Sequence, residues 1–219
     1  MTARVSIPTS TGPVEAVITL PDGDARCPAI VVLQEYWGVN AHVESVAKRW
    51  AAENFVAIVP DLYHGQIAKD AAEAGRLMSA LDFGKAVAEI AAAVQYARTH
   101  PRSTGKVAVT GYCLGGALGF ATAVNVRGLA AVVPFYGLPR DLDWSKIDAP
   151  VQAHFARHDD WATVAGAEKI KAAVNVPMEL HVYDAKHAFC NDSRPEVYDA
   201  EAASQAWGRA VAFVRAHTK

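Results

Sequence analysis

A thiol becomes a nucleophile where a helix N-terminus favours its thiolate, a base lies within reach and the backbone presents the sulfur openly. The segment Gly111-Tyr112-Cys113-Leu114-Gly115 offers the first and last of these by its spacing. It joins an apolar, β-branched run at 106–110 to a helical pattern at 114–125, the strand–turn–helix setting of a nucleophile elbow. So sharp a turn leaves no room for side chains two positions either side, and glycine removes them. Cys113 then stands at a strand's carboxyl end, with the Leu114 N–H free to face a developing oxyanion. The competing reading makes Cys113 a small buried core residue, the usual state of a free cysteine. Cys27, beside Pro28 at a strand entrance, reads as structural. Cys190 reads as a lining residue of the same site, with no part in its chemistry.

Such a thiol needs a base, and the base needs an acid that fixes its tautomer. With this motif the chain order is nucleophile, acid, histidine, the latter two each following a later strand. The strand pattern at 151–155 runs into Ala156-Arg157-His158-Asp159-Asp160, and the one at 179–183 runs into Asp184-Ala185-Lys186-His187. Of the chain's eight histidines, His187 is the one leaving the last strand. Either aspartate can be the acid; Asp159 is favoured, with Asp160 assigned to cap the helix near Val164. Earlier, Gln34-Glu35-Tyr36-Trp37-Gly38-Val39-Asn40 follows a strand pattern at 29–34, where this motif takes its second oxyanion donor. The Tyr36 N–H fills that role. A carboxylate such as Glu35 at the end of a buried strand requires a partner unless the loop is solvated.

The elements that would position these groups alternate. Strand patterns lie at 14–20, 29–34, 56–59, 106–110, 129–135, 151–155 and 179–183. Helical patterns lie at 42–54, 84–98, 114–125, 164–174 and 196–217, as where Val87, Ile90, Ala91 and Val94 form one stripe. The alternation predicts one α/β domain over residues 1–219, with a mostly parallel central sheet and helices on both faces. About a dozen residues separate Tyr136 from Val151, an ordinary connection that leaves little room for a lid domain.

Composition limits the partners. The 219 residues are 52% hydrophobic and 20% charged with a formal charge of -2, so nothing draws the chain to nucleic acid or an anionic membrane. No apolar run is long enough to span a bilayer, and the first ten residues lack a signal-peptide pattern. Three sparse cysteines argue for a reducing compartment, hence a cytoplasmic monomer or small homo-oligomer. Their spacing from histidines gives no zinc pattern, and no cofactor is expected.

The chain resembles the dienelactone hydrolase family. The likeness is carried by residues 34–40, Asp61-Leu62-Tyr63, Gly105-Lys106-Val107, Gly111-Tyr112-Cys113-Leu114-Gly115-Gly116, Phe135-Tyr136-Gly137, the Asp159 loop and His187-Ala188-Phe189. It implies an α/β-hydrolase fold and cofactor-free cleavage of an ester or lactone by a Cys113–Asp159–His187 triad through a thioester. It also implies that Glu35 pairs with the resting thiol and helps generate the thiolate, and that Trp37 and Tyr136 lie by the substrate. Members that cleave dienelactone hold its carboxylate with two arginines. This chain has Cys190-Asn191-Asp192 at one position and Ala71-Ala72 at the other, with Arg76, Arg157 and Arg194 as candidate substitutes. A broader carboxylesterase or thioesterase, and a non-catalytic ligand-binding protein on the same scaffold, are the alternatives.

Overall fold

Short β-branched runs with no polar face must lie in a sheet covered on both sides. The computed structural model, which describes residues 1–10 and 12–219, places them so. Eight strands form one sheet in the order β1-β2-β4-β3-β5-β6-β7-β8. They are β1 (Thr2–Ile7), β2 (Val14–Thr19), β3 (Cys27–Leu33), β4 (Val56–Pro60), β5 (Ser103–Tyr112), β6 (Ala131–Phe135), β7 (Val151–His158) and β8 (Met178–Lys186). Only β2 is reversed: it pairs antiparallel with β1 on one side and β4 on the other, and β3 to β8 are parallel.

The helices are α1 (Ala41–Ala52), α2 (Ala71–Ala80), α3 (Phe83–Thr99), α4 (Leu114–Asn125), α5 (Val164–Ala173) and α6 (Ala200–His217). Side chains of a strand alternate between faces, so Val31, Val109 and Val132 pack with Ile90, Leu118 and Ile170 of α3, α4 and α5. Their neighbours Ile30, Val32, Ala108 and Val133 pack with Val46 and Trp50 of α1 and Val214 of α6. This is the α/β-hydrolase architecture, with no lid domain among the described residues. No helix among the described residues is long and apolar enough to cross a membrane.

Two elements lie outside the expected set. Strand β1 sits at the sheet edge; its six residues alternate polar and apolar, but Ile7 is the one that is buried. Helix α2 buries Ala74 and Leu77 alone, too few to print a helical period. Helix α6 begins at Ala200 rather than 196, because Asp199 caps it by accepting the Ala202 N–H.

Parallel strands in register bring their carboxyl ends to one rim, where open α/β sheets bind ligands. Leu33 pairs with Gly111, Tyr112 with Phe135, and His158 with Lys186. The residues that follow these strands are those singled out for chemistry.

Candidate active site

The central strand β5 ends at Tyr112, and Cys113 opens α4 with φ 56° and ψ −115°, a strained conformation for a residue with a side chain. The strain is held by the surroundings. Cys113 N–H donates to the Phe135 carbonyl at 3.1 Å, and the Cys113 carbonyl accepts from Gly116 at 3.0 Å. A Cβ on Gly111 would strike the Gly115 backbone, and one on Gly115 would strike the carbonyls of Leu33 and Gln34. Gly137, after β6, packs as tightly on the Cys113 carbonyl. The elbow is therefore wedged between the ends of β3 and β6.

The loops after β7 and β8 bring Asp159 and His187 together. Asp159 Oδ2 lies 2.7 Å from His187 Nδ1, while Oδ1 accepts the N–H groups of Trp161 at 2.9 Å and Ala162 at 3.0 Å. Burial works against the Asp159 charge, but these donors hold its carboxyl below the usual range. Burial likewise opposes protonation of His187. Its bond to Asp159 and the nearby Cys113 outweigh that and raise it to about 10. The remaining nitrogen, Nε2, is buried and turned to the Cys113 side, with no closed hydrogen bond. Asp160 makes no bond to His187 and does not cap α5. Thr163 does, accepting the Gly166 N–H through its hydroxyl, because it is the residue immediately before the first helical turn.

Glu35 is buried, not solvated, and its partner is Asn191, whose amide donates to Oε2. Asn191 Oδ1 accepts the N–H of Ser193 at 3.1 Å and its hydroxyl at 2.6 Å, which turns the amide NH2 toward Glu35. Oε1 of Glu35 has no hydrogen-bond partner in the structure. Desolvation raises the Glu35 carboxyl, against the lowering influence of His42, Asn191, His187 and Arg194. His42 on α1 is itself oriented by Asp192, 3.0 Å from Nδ1. Asn191 and His42 carry no spacing signal in the sequence: the first lies in an aperiodic turn, the second on the buried stripe of a helix.

The backbone N–H groups of Tyr36 and Leu114 make no hydrogen bond among the described residues, and both residues border Cys113. Trp37 lines the cleft with Glu35, Tyr36, Cys113, His187 and Arg194. Tyr136 lines a second cleft with Cys113 and His187, its ring edge-on to His187 at 5.2 Å. Cys190 lines neither cleft. The left-handed turn at Ala188 (φ 64°) carries the chain inward, and Cys190 sits behind the rim against Arg49, Tyr112 and Trp207. Of the three candidate arginines, Arg194 alone lines a cleft with Cys113, and it pairs with Glu196 at 2.8 Å; Arg76 pairs with Glu73 and Arg157 with Asp184.

A model of the dienelactone hydrolase family matches residues 14–218. The chain is 30% identical to the carboxymethylenebutenolidase of Pseudomonas putida over 98% of this chain and 96% of that protein. It is 34% identical to the protein Usf of Aquifex pyrophilus, over 86% and 87% of the two chains. Among solved structures it superimposes on a dienelactone hydrolase-like promiscuous phosphotriesterase from metagenomic libraries with a TM-score of 0.87. That pair covers 100% and 99% of the chains at 21% identity, which speaks to the fold.

Proposed function

Because the chain belongs to the dienelactone hydrolase family and is an ester or lactone hydrolase, we propose that it works through Cys113, His187 and Asp159 and a thioester intermediate. The observation that carries this reading is the His187 ring, bonded to Asp159 at 2.7 Å and sharing with Cys113 the lining of both clefts, its other nitrogen unpaired.

Cys113 Sγ attacks the substrate carbonyl with its proton already held on His187, whose pKa is raised to about 10, and the imidazolium is balanced by the Asp159 carboxylate. The N–H groups of Tyr36 and Leu114 receive the oxyanion. On collapse the C–O bond breaks and His187 returns the proton to the leaving oxygen. Water, deprotonated by His187, then cleaves the thioester and restores the thiol. Glu35 keeps Oε1 for the resting thiol, since Asn191 engages Oε2. Its burial favours the protonated carboxyl, which sets no negative charge beside the sulfur.

The substrate is an activated ester or lactone with a good leaving group. One arginine in the nucleophile's cleft, itself paired with Glu196, where two would clamp a carboxylated dienelactone, favours broader ester and thioester use. A free thiolate nucleophile suits a reducing compartment, and the cytoplasm provides one.

Cys113→Ala tests the scheme. We expect hydrolysis of p-nitrophenyl acetate to fall by at least 10³-fold with the circular dichroism spectrum unchanged. Retained turnover would exclude Cys113 as the nucleophile. A folded wild-type enzyme that neither turns over esters nor is labelled by iodoacetamide at Cys113 would point instead to a ligand-binding protein.

A further inference from the structure

Cys113 and His187 border two clefts. The first, about 360 Å³, contains Glu35, Tyr36, Lys186 and Arg194 and is the charged side of the site. The second, about 630 Å³, is walled by Met78, Leu81 and Phe83 around the α2–α3 junction, by Leu138 and Leu142 after β6, and by Trp161. Trp161 borders both, as Cys113 and His187 do. The second cleft falls in the size range of small-molecule sites and exceeds what a small lactone fills.

It holds little charge. Arg140 is its sole charged lining residue besides His187, and it is exposed. Phe83 is 36% exposed and Trp161 68%, two of the few large apolar side chains this chain leaves in water, and both edge this cleft. Scattered apolar residues need no explanation, but two aromatics on one cleft that reaches a nucleophile mark a surface that a ligand covers.

We propose that this cleft is the hydrocarbon subsite of the enzyme, holding the apolar half of a medium-chain or aromatic ester while the polar half faces Arg194. The substrate class is thus an ester with one extended apolar half, larger than a bare lactone ring. The inference rests on Cys113 being the nucleophile, and deepens that reading.

The test is kcat/KM of the wild-type enzyme along two series, p-nitrophenyl acetate to octanoate and n-butyl to n-octyl acetate. In at least one series the value is expected to rise about threefold per methylene, as each leaves water for the cleft. Phe83→Gln and Leu142→Gln, both at partly or fully exposed positions, should cut the hexanoate-to-acetate ratio (or its alkyl counterpart) by about fivefold or more. Melting temperatures confirm that each variant is folded. Flat profiles in both series with measurable acetate turnover would overturn the subsite and leave the nucleophile standing. So would an unchanged ratio in both variants. Absence of turnover on every ester would overturn the nucleophile reading and the subsite with it.

Discussion

Glu35 shows how a single buried carboxylate is made tolerable without being made comfortable. It lies beneath the rim with one oxygen bonded to Asn191 and the other unpaired, and burial raises its pKa above the ordinary 4.5. An acid whose folded pKa is raised binds protons more tightly in the native state, so its ionisation opposes folding as pH climbs above the unfolded value. The penalty is absent below pH 4.5 and present above the raised native value. Glu35→Gln, which keeps the shape and can still accept from Asn191, should raise the melting temperature at pH 8 and leave it unchanged or lowered at pH 4. A scan of wild type and variant across that window checks this; a variant less stable at pH 8 would mean that the charge itself holds the rim together. The same variant should lose activity, which is the ordinary trade at a site built for chemistry.

At the scale of elements, the elbow depends on close approach between backbones rather than on side-chain packing. Gly115 is pressed against the last carbonyls of β3, and the chain continues from there into Glu35 and Tyr36. Gly115→Ala must drive β3 and α4 apart, because backbone cannot rotate away as a flexible side chain can. A loss of roughly 3 kcal/mol or more is expected, read as a lower urea midpoint. Activity should fall further than stability accounts for, since Tyr36 and Leu114 move relative to each other. This geometry is also why so much was legible in the sequence. A glycine pair around Cys113, and strands that must end where His187 and Asp159 begin, are fixed by sterics and by parallel register, and both leave patterns. Asn191, His42 and the true helix cap Thr163 are set by where an aperiodic turn or a neighbouring helix arrives in space, and no local period encodes that. Helix α2 escaped for a related reason: it buries too small a face to impose one. The cost of missing α2 was the cleft, since the α2–α3 junction supplies one of its walls.

Across the whole molecule, stability against pH is set by a second polar system, away from the nucleophile and on the face that α6 covers. Arg209 donates to the Tyr183 hydroxyl at 3.1 Å, which leaves that hydroxyl's proton for His154 Nδ1 at 2.9 Å. His154 Nε2 then donates to Gln152 Oε1 at 3.1 Å, and Gln152 Nε2 to Glu179 at 2.6 Å. Every direction in this chain agrees with a neutral His154. Its ring is fully buried between Phe135 and His181, and burial, with His181 and Arg209 nearby, lowers its pKa well below 6.5. The unfolded chain therefore binds this proton first, and stability declines as pH falls below 6.5. His187 acts on the other side: raised to about 10 by its partners, it contributes stability below its unfolded value that is lost as pH rises through about 10. Asp159, held low, adds a loss confined to pH below 3.8. The profile should thus crest near neutrality, with His154 setting its first acid shoulder. His154→Gln removes the titration while keeping an amide able to reach Tyr183 or Gln152. At pH 8 the variant should be less stable by roughly 1–3 kcal/mol, for lost bonds and ring stacking. Between pH 6.5 and 5, however, its melting temperature should fall less steeply than that of the wild type. Equal slopes in the two proteins would show that the acid shoulder belongs to some other group and that the buried ring does not govern it.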